Sequence, residues 1–394
     1  MAFARKPIRV LVTDDSAVYR TMISGNLAKK DGIEVVGTAY DAEDALRKIA
    51  SLKPDVLSLD VEMPKMNGIE LTKHLMSTES VLPIILVSAA NINVFDALNA
   101  GAVDFVKKPD GTTKPEAFID ELASKIRIAS VAKVAKHTTF RPTTPPSAAA
   151  TAAARATGPS AAVSAASAAA KAAATKLGAT APPKHTPSIS DISAPRSCSA
   201  RACESTIIAL GASTGGTEST LEVLQKLPAN IPPILIVQHM PVGFTKLYAE
   251  RLNRICAMNV KEAQDGDEVV PGTVYIAPGD VQMKLTKVGG TYKLQCRGTE
   301  KVSGHCPSVD VLFRSVAEVS TKKNVGIILT GMGRDGAEGL LEMKKRGAYT
   351  LGENEESCVV YGMPMVAQNI GAVMVQATNR DIPNLLMKHL NSLG

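Results

Sequence analysis

Short apolar runs alternate with amphipathic stretches twice along the chain. In the first round, Ile8–Thr13, Glu34–Thr38, Val56–Asp60, Ile84–Ser88 and Val103–Val106 predict strands. Between and after them, Val18–Lys29, Ala42–Leu52, Ile69–Met76, Val94–Asn99 and Pro115–Ile128 predict helices. Five successive strand–helix units predict a parallel sheet covered on both faces, because a parallel crossover needs an intervening helix. A second round runs through strands at Thr206–Leu210, Ile234–Gln238, Thr273–Ala277 and Gly326–Thr330. Its helices are predicted at Glu218–Lys226, Lys246–Arg254, Val309–Val319, Ala337–Lys345 and Pro383–Asn391. The stretch Val281–Gln295, broken at Gly289–Gly290, predicts a β-hairpin inserted in that alternation.

Residues 136–204 carry neither pattern. From Arg141 to Thr180 about half the residues are alanine, and Pro142, Pro145, Pro146 and Gly158–Pro159 interrupt the rest. Such a composition lacks the apolar surface needed to offset the entropy of ordering. The expected organisation is therefore a domain at 1–135, an Ala/Pro/Ser-rich flexible linker at 136–204, and a second domain at 205–394. Both domains belong to the α/β class: a parallel five-stranded sheet first, then a doubly wound domain with the inserted hairpin.

The net charge of +6 belongs to the linker, which holds eight Lys/Arg against two Asp/Glu and leaves 36 of each sign elsewhere. The globular parts thus present no overall basic balance for nucleic acid. With no Trp, 7 Tyr and 7 Phe, the chain also lacks the aromatic platforms of single-strand binders. Six cysteines without a Cys-x-x-Cys pair argue against a disulfide framework or a structural zinc site and fit a reducing compartment. No apolar run approaches the ~18–20 residues of a membrane span, and no signal-peptide core precedes the first strand, so a cytoplasmic location is expected.

Polar residues with chemical potential recur at strand ends. Asp14 and Asp15 follow the first strand, Asp60 ends the third, Ser88 ends the fourth, and Lys108 follows the fifth just before Pro109. In an open parallel sheet, ligands bind beyond the carboxyl ends of the strands, where strand order reverses. Three clustered carboxylates repel one another unless they hold a hard cation, and oxygen ligands suit Mg²⁺. A plainer reading makes Asp14-Asp15 a helix N-cap and Lys108 a solvated surface residue. Together with the run Asp60-Val-Glu-Met-Pro-Lys-Met-Asn-Gly68, however, these positions resemble the receiver domain of bacterial two-component response regulators. The resemblance implies a flavodoxin-like receiver fold, Asp60 as phospho-acceptor, and Mg²⁺ held by Asp14, Asp15, Asp60 and the main-chain carbonyl of Glu62. It further implies that Ser88, Phe105 and Lys108 form the switch, and that a cis peptide bond precedes Pro109.

In the second domain, Gly211-Ala-Ser213-Thr-Gly215 fits G-x-S-x-G between an apolar strand and a helix, the setting of a nucleophile elbow. Small neighbours permit the tight turn, Ser213 is left at the strand end, and free N–H groups of the helix start face it. His239 directly follows the strand ending at Gln238. Asp335 lies in Gly331-Met-Gly-Arg-Asp335-Gly336, after the strand ending at Thr330. Parallel strand ends converge on one crevice, so a nucleophile, a base and an orienting acid can meet there. His239 then takes the Ser213 proton and returns it to the leaving group, while Asp335 fixes the tautomer. The order Ser…His…Asp differs from that of the α/β-hydrolases.

A dinucleotide site competes for the same residues, since Gly331–Gly336 also matches G-x-G-x-x-G with Glu353 further on. Against it, the match follows a late strand, and Asp335 sets a carboxylate among groups meant for a pyrophosphate. Gly211–Gly216 lacks the Gly-Lys-Ser/Thr ending of a P-loop. His305, in Gly304-His-Cys-Pro-Ser-Val-Asp310, lacks partners at metal-ligand spacing and reads as a structural or substrate-contact residue, with Ser308 as the cap of the next helix. His74, His137, His185 and His389 read as surface residues.

A receiver, a linker, and the segments Gly-Ala-Ser213-Thr-Gly-Gly, Gln-His239-Met-Pro and Thr-Gly-Met332-Gly-Arg-Asp335-Gly together resemble the chemotaxis protein-glutamate methylesterase (CheB) family. The resemblance implies a phosphorylation-activated serine esterase. Its substrates are glutamate γ-methyl esters on the cytoplasmic helices of methyl-accepting chemoreceptors, with methanol released and receptor glutamines deamidated as well. It also implies the Met332 main-chain N–H in the oxyanion hole and the chemotaxis histidine kinase CheA as phosphodonor. No cofactor in the hydrolytic half, a monomer, and neither nucleic acid nor membrane insertion complete the expectation. The linker exceeds the tether usual in that family, which predicts loosened docking between the halves. Cys306 stands where a basic residue is usual, which predicts an altered substrate contact. The alternative is a non-enzymatic response regulator whose hydrolase-like domain binds a partner. A DNA-binding regulator fits poorly, because the second domain has no net basic charge and exceeds a helix-turn-helix module.

Overall fold

The structure, a computed structural model, describes residues 6–78, 81–88, 94–109, 114–134 and 197–393. Most of the predicted linker, residues 136–196, lies outside these, as do His137 and His185. The first round of elements is β1 (Ile8–Thr13), α1 (Ala17–Leu27), β2 (Ile33–Ala39), α2 (Ala42–Leu52), β3 (Val56–Asp60), α3 (Gly68–Ser77), β4 (Ile84–Ser88), α4 (Val94–Asn99), β5 (Asp104–Lys107) and α5 (Pro115–Ala129). The strands pair in parallel in the order β2-β1-β3-β4-β5. Strand order therefore reverses between β1 and β3, the two strands whose ends carry Asp14, Asp15 and Asp60. β3 and β4 are buried at every position, as strands sandwiched between two helical layers must be. The cap of α1 is Ser16, whose hydroxyl accepts from the Tyr19 N–H. Asp14 and Asp15 are thus not spent as helix caps.

The second round starts with α6 (Ala200–Ser205), which falls inside the stretch expected to be linker. Ala202 and Cys203 bury against the domain, and the Asn230 carbonyl accepts from the Cys203 thiol, so ordered packing begins before the first strand. Then come β6 (Thr206–Ala212), α7 (Gly216–Leu224), β7 (Ile234–Gln238), α8 (Phe244–Ile255), β8 (Asn259–Glu262), β9 (Thr273–Ile276), β10 (Met283–Val288), β11 (Thr291–Cys296) and α9 (Val309–Val319). β12 (Lys323–Ile328), α10 (Ala337–Lys345), β13 (Tyr349–Glu353), α11 (Met363–Asn369), β14 (Val375–Ala377) and α12 (Ile382–Ser392) complete it. Seven parallel strands run in the order β14-β13-β12-β6-β7-β9-β8, with the reversal between β6 and β12. β10 and β11 form the expected antiparallel hairpin, turned at Gly289 and Gly290 with φ of 59° and 89°.

The two halves are docked, against the expectation from the long linker. One cluster of buried apolar side chains is continuous from the α2–α4 face of the first sheet into the second domain. At the seam Phe105 meets Phe244 with ring centroids 4.4 Å apart, and Phe95 stacks on Tyr248 at 5.6 Å. A long tether lowers the local concentration of a partner surface, but the apolar area buried on contact sets the affinity it must overcome. Two smaller expectations also change. The peptide bond before Pro109 is not cis; the cis bond among the described residues is Cys306–Pro307. The isomers of an X–Pro bond differ by only about 0.5–1 kcal/mol, so the dipeptide alone does not select one. His389 is half-buried and stacks on Tyr349 at 4.1 Å, whereas His74 is exposed.

Candidate functional site

At the first switch point, Asp14, Asp15 and Asp60 each present a carboxylate oxygen within 4.8 Å of the others. Asp14 and Asp60 are buried, and Asp15 is exposed at the mouth. Lys108 reaches both buried carboxylates, with Nζ 2.7 Å from Asp60 and 3.0 Å from Asp14. Burial pushes the Asp60 carboxyl up to about 6, with the Asp14 charge adding to the rise and Lys108 opposing it. Gly68 is required by packing: a Cβ there would stand 2.2 Å from the Asp60 carbonyl oxygen. Ser88 is fully buried at the end of β4, and its carbonyl accepts from the Lys108 N–H at 2.8 Å. Phe105 lies on β5 and enters the seam described above.

At the second switch point, β12, β6 and β7 lie side by side and their ends deliver Asp335, Ser213 and His239. The turn at Ser213 is pinned through its main chain. Its N–H donates to the Thr330 carbonyl at 3.0 Å, and its carbonyl accepts from the Gly216 N–H and the Gln238 amide. Gly215 has φ of 76°, the left-handed region that glycine enters without strain. Gly331 packs directly on the nucleophile turn, since a Cβ there would be 2.6 Å from that of Ser213. The main-chain N–H of His239 donates to the Ala212 carbonyl, which fixes the histidine beside the residue preceding Ser213.

His239 Nε2 lies 2.8 Å from Asp335 Oδ2. Asp335 is 1 % exposed and fully engaged: it also accepts from the Ser308 hydroxyl at 2.7 Å and the main-chain N–H groups of Val309 and Asp310. Burial alone would raise its carboxyl, but the His239, Ser308 and main-chain hydrogen bonds outweigh that and hold it below the usual carboxylate range. Ser308 stands at the N-cap position of α9, yet its hydroxyl caps nothing and goes to Asp335 instead. Asp335 is the cap, supplied from the start of α10. Asp310 on α9 returns the exchange by accepting from the Gly339 N–H of α10 at 2.7 Å. With Nε2 committed to Asp335, the free ring nitrogen is Nδ1, which is buried without a hydrogen-bond partner. The acid thus meets Nε2, where the familiar arrangement has it on Nδ1, and no hydrogen bond joins the Ser213 hydroxyl to the ring among the described residues.

Met332 is half-exposed at the mouth, one residue beyond the glycine that packs on Ser213. Among the described residues, no acceptor takes the N–H of Met332 or of Thr214. Thr214 was not singled out from the sequence, although the residue after an elbow nucleophile is a standard donor to a developing oxyanion. Sequence reasoning also missed what its side chain does: the Thr214 hydroxyl donates to Asp104 Oδ2 of the first domain at 2.6 Å. Asp104 in turn pairs with Lys125 at 2.9 Å. Glu353, the acidic residue of the competing dinucleotide reading, is buried beneath the site. It accepts from the Thr330 N–H and the hydroxyls of Ser219 and Ser357, so it is spent on holding the strand end. His305 lies flat against the ring of His239.

An acidic pocket on a five-stranded receiver sheet, docked on a doubly wound domain whose strand ends carry Ser213, His239 and Asp335, has the architecture of a response regulator with a hydrolase output. The comparisons agree. Residues 208–386 match CheB methylesterase, and residues 10–118 match the response regulator receiver domain. A protein-glutamate methylesterase/protein-glutamine glutaminase 2 of Syntrophomonas wolfei is 43% identical over 98% of this chain and 98% of its own. Similar proteins of Syntrophotalea carbinolica and Nitrosomonas europaea are 42% and 40% identical over 93% and 99% of this chain, and over 93% and 98% of their own. A crystal structure of the Thermotoga maritima CheB methylesterase catalytic domain, 40% identical, covers 46% of this chain and 97% of its own with a TM-score of 0.46. The chain belongs to the CheB methylesterase family.

Proposed function

We propose that this chain is a phosphorylation-activated esterase that hydrolyses glutamate γ-methyl esters on the cytoplasmic helices of chemoreceptors, and that it deamidates receptor glutamines at the same site. The observation that carries the chemistry is the His239–Asp335 pair at 2.8 Å, set at the ends of the two strands that flank β6 and its Ser213 turn. Ser213 Oγ attacks the ester carbonyl while His239 Nδ1 takes its proton. Negative charge developing on the carbonyl oxygen is met by the N–H groups of Met332 and Thr214. The tetrahedral adduct expels methoxide, which leaves as methanol with the proton from His239. Water then attacks the acyl-serine with Nδ1 again as base, freeing the glutamate carboxylate and restoring Ser213. A glutamine follows the same path with ammonia as leaving group. Release of methanol from methylated receptor membranes tests the reading; a wild-type protein that releases none would overturn it.

In the receiver, the donor set of Asp14, Asp15 and Asp60 is oxygen-only, which suits Mg²⁺, and the Glu62 carbonyl would be the further ligand. Bound there, the ion supplies positive charge for phosphoryl transfer from a histidine kinase of the CheA type. Asp60 is the acceptor, and Lys108, which bonds Asp60 at 2.7 Å, would hold the transferred group. Asp60→Asn keeps the shape but not the nucleophile, so Mg²⁺-dependent labelling from a phosphorylated kinase is expected to vanish. Labelling at an unchanged rate would move the acceptor to a neighbour such as Asp15.

Regulation follows from where the receiver rests. β5 carries both Phe105, packed on Phe244 beside the site, and Asp104, hydrogen-bonded to the residue after the nucleophile. Asp104 and Lys125 are both largely buried, and a hydrogen bond to an ionised group contributes about 1.5–3 kcal/mol. The unphosphorylated receiver therefore covers the site, and phosphorylation activates by weakening that contact. Thr214→Val removes the hydroxyl but keeps the shape and the main-chain N–H. The ratio of phosphorylated to unphosphorylated methanol release is expected to fall on the order of tenfold, because the closed form loses that bond. An unchanged ratio would show that the Asp104 contact does not hold the receiver closed.

A further inference from the structure

His239 is held on its edge by Asp335, but a ring hydrogen-bonded through one nitrogen can still tilt out of plane. His305 lies on its face. The two imidazoles are 3.7 Å apart between centroids and within 8° of parallel. The main chain under His305 is fixed from several sides. Its N–H donates to the Val302 carbonyl and its carbonyl accepts from the Val302 N–H, both at 3.0 Å. The buried Gln282 amide donates to the same His305 carbonyl, while its oxygen accepts from the Ser308 N–H. The loop that presents His305 thus also presents Ser308, which bonds Asp335. One loop braces both the face of the base and the acid behind it.

We propose that His305 is a positioning residue for the esterase reaction: its ring holds His239 in the plane that aims Nδ1 at Ser213. The proposal rests on the esterase reading given above. It assigns His305 no proton transfer. Burial, with the neighbouring His239 next in weight, pushes the His305 imidazole down to about 4. The charged or titratable groups around it are His239, Asp335, Lys301 and, from the receiver, Lys125. It is therefore neutral at neutral pH, and it leaves the proton gained in each cycle to His239. A planar, uncharged ring is all the role requires.

The test compares His305→Ala and His305→Phe in the full-length protein with Mg²⁺ and an acyl phosphate as phosphodonor. Two readouts are followed: methanol release from methylated receptor membranes, and the rate at which an alkyl fluorophosphonate labels Ser213. His305→Ala is expected to lower kcat and the labelling rate on the order of 10²-fold, the scale of a reacting group displaced by about an ångström, with KM little changed. His305→Phe, which keeps a flat ring and cannot titrate, is expected to recover most of both. In an Asp335→Asn background the alanine change is expected to cost much less, since both residues act on one ring. If the phenylalanine variant is as slow as the alanine variant, His305 moves protons or only shapes its loop, and the proposal fails. A rise in KM with kcat intact would make it a substrate contact and would likewise overturn it. If wild-type protein releases no methanol yet Ser213 labelling shows the expected pattern, the substrate reading fails and the positioning role stands.

Discussion

Replacement of Ser213 by alanine is expected to lower ester hydrolysis on the order of 10⁶-fold, the loss seen when a triad nucleophile that works as a unit is removed. The size of the effect follows from the geometry. Asp335 holds Nε2, and His239 Nδ1 has no hydrogen-bond partner among the described residues, so it is free to take the serine proton, and without the serine hydroxyl it has only water to activate. The Met332 and Thr214 N–H groups remain, and they support a small residual rate through oxyanion binding alone. The fold is not at risk, because the turn at Ser213 is held by its main chain rather than its side chain. Methanol release by the variant with and without phosphodonor measures the effect. A rate near that of the wild type would remove Ser213 from the mechanism.

Asp335→Asn is expected to lower kcat by about 10⁴-fold, since an amide cannot hold the tautomer that leaves Nδ1 as the base. Asn keeps one oxygen, enough for the Val309 N–H on the Oδ2 side or the Asp310 N–H on the Oδ1 side but not both, so the unfolding midpoint should fall, by less than for alanine. Asp335→Ala removes that acceptor as well. It leaves buried donors at the start of α9 unsatisfied, at about 1–3 kcal/mol, and is expected to lower the unfolding midpoint in addition to the rate. The pair separates chemistry from stability. Equal activity in Asp335→Asn and wild type would show that the His239–Asp335 contact is only structural.

Much of this was legible in the sequence because it is local. β1, β3, β4 and β7, buried at most or all positions, are continuous apolar runs, and helices such as α2, α9 and α10 show their period directly. Besides the short helices α6 and α11, the elements not read were strands where burial does not follow apolarity. β8 (Asn-Val-Lys-Glu) and β14 (Val-Gln-Ala) are short edge strands with little to hide. β13 ends in Glu353, whose carboxylate is buried because three donors converge on it, and no periodicity reports such a network. The site divides in the same way. Ser213, His239 and Asp335 stand at strand ends within recognisable turns. The Asp104–Thr214 bond and the His305–His239 stack join distant segments through tertiary contact, and neither residue type is unusual where it stands. The approach of Asp335 to Nε2 was likewise invisible, because it depends on which side of the ring the acid lies.

The exchange of carboxylates between α9 and α10 gives the acid of the triad a second employment. Asp335 closes the start of α9, and Asp310 closes the start of α10. A descendant of this protein that abandoned hydrolysis would still be pressed to keep an aspartate at this position, since losing it would leave the start of α9 without its acceptors. Retention of that residue among relatives therefore does not by itself speak for turnover. The serine hydroxyl carries no comparable structural duty, so a decayed copy would lose Ser213 first. Alanine or glycine in its place, with the aspartate intact, would be the mark of a family member that has become a scaffold.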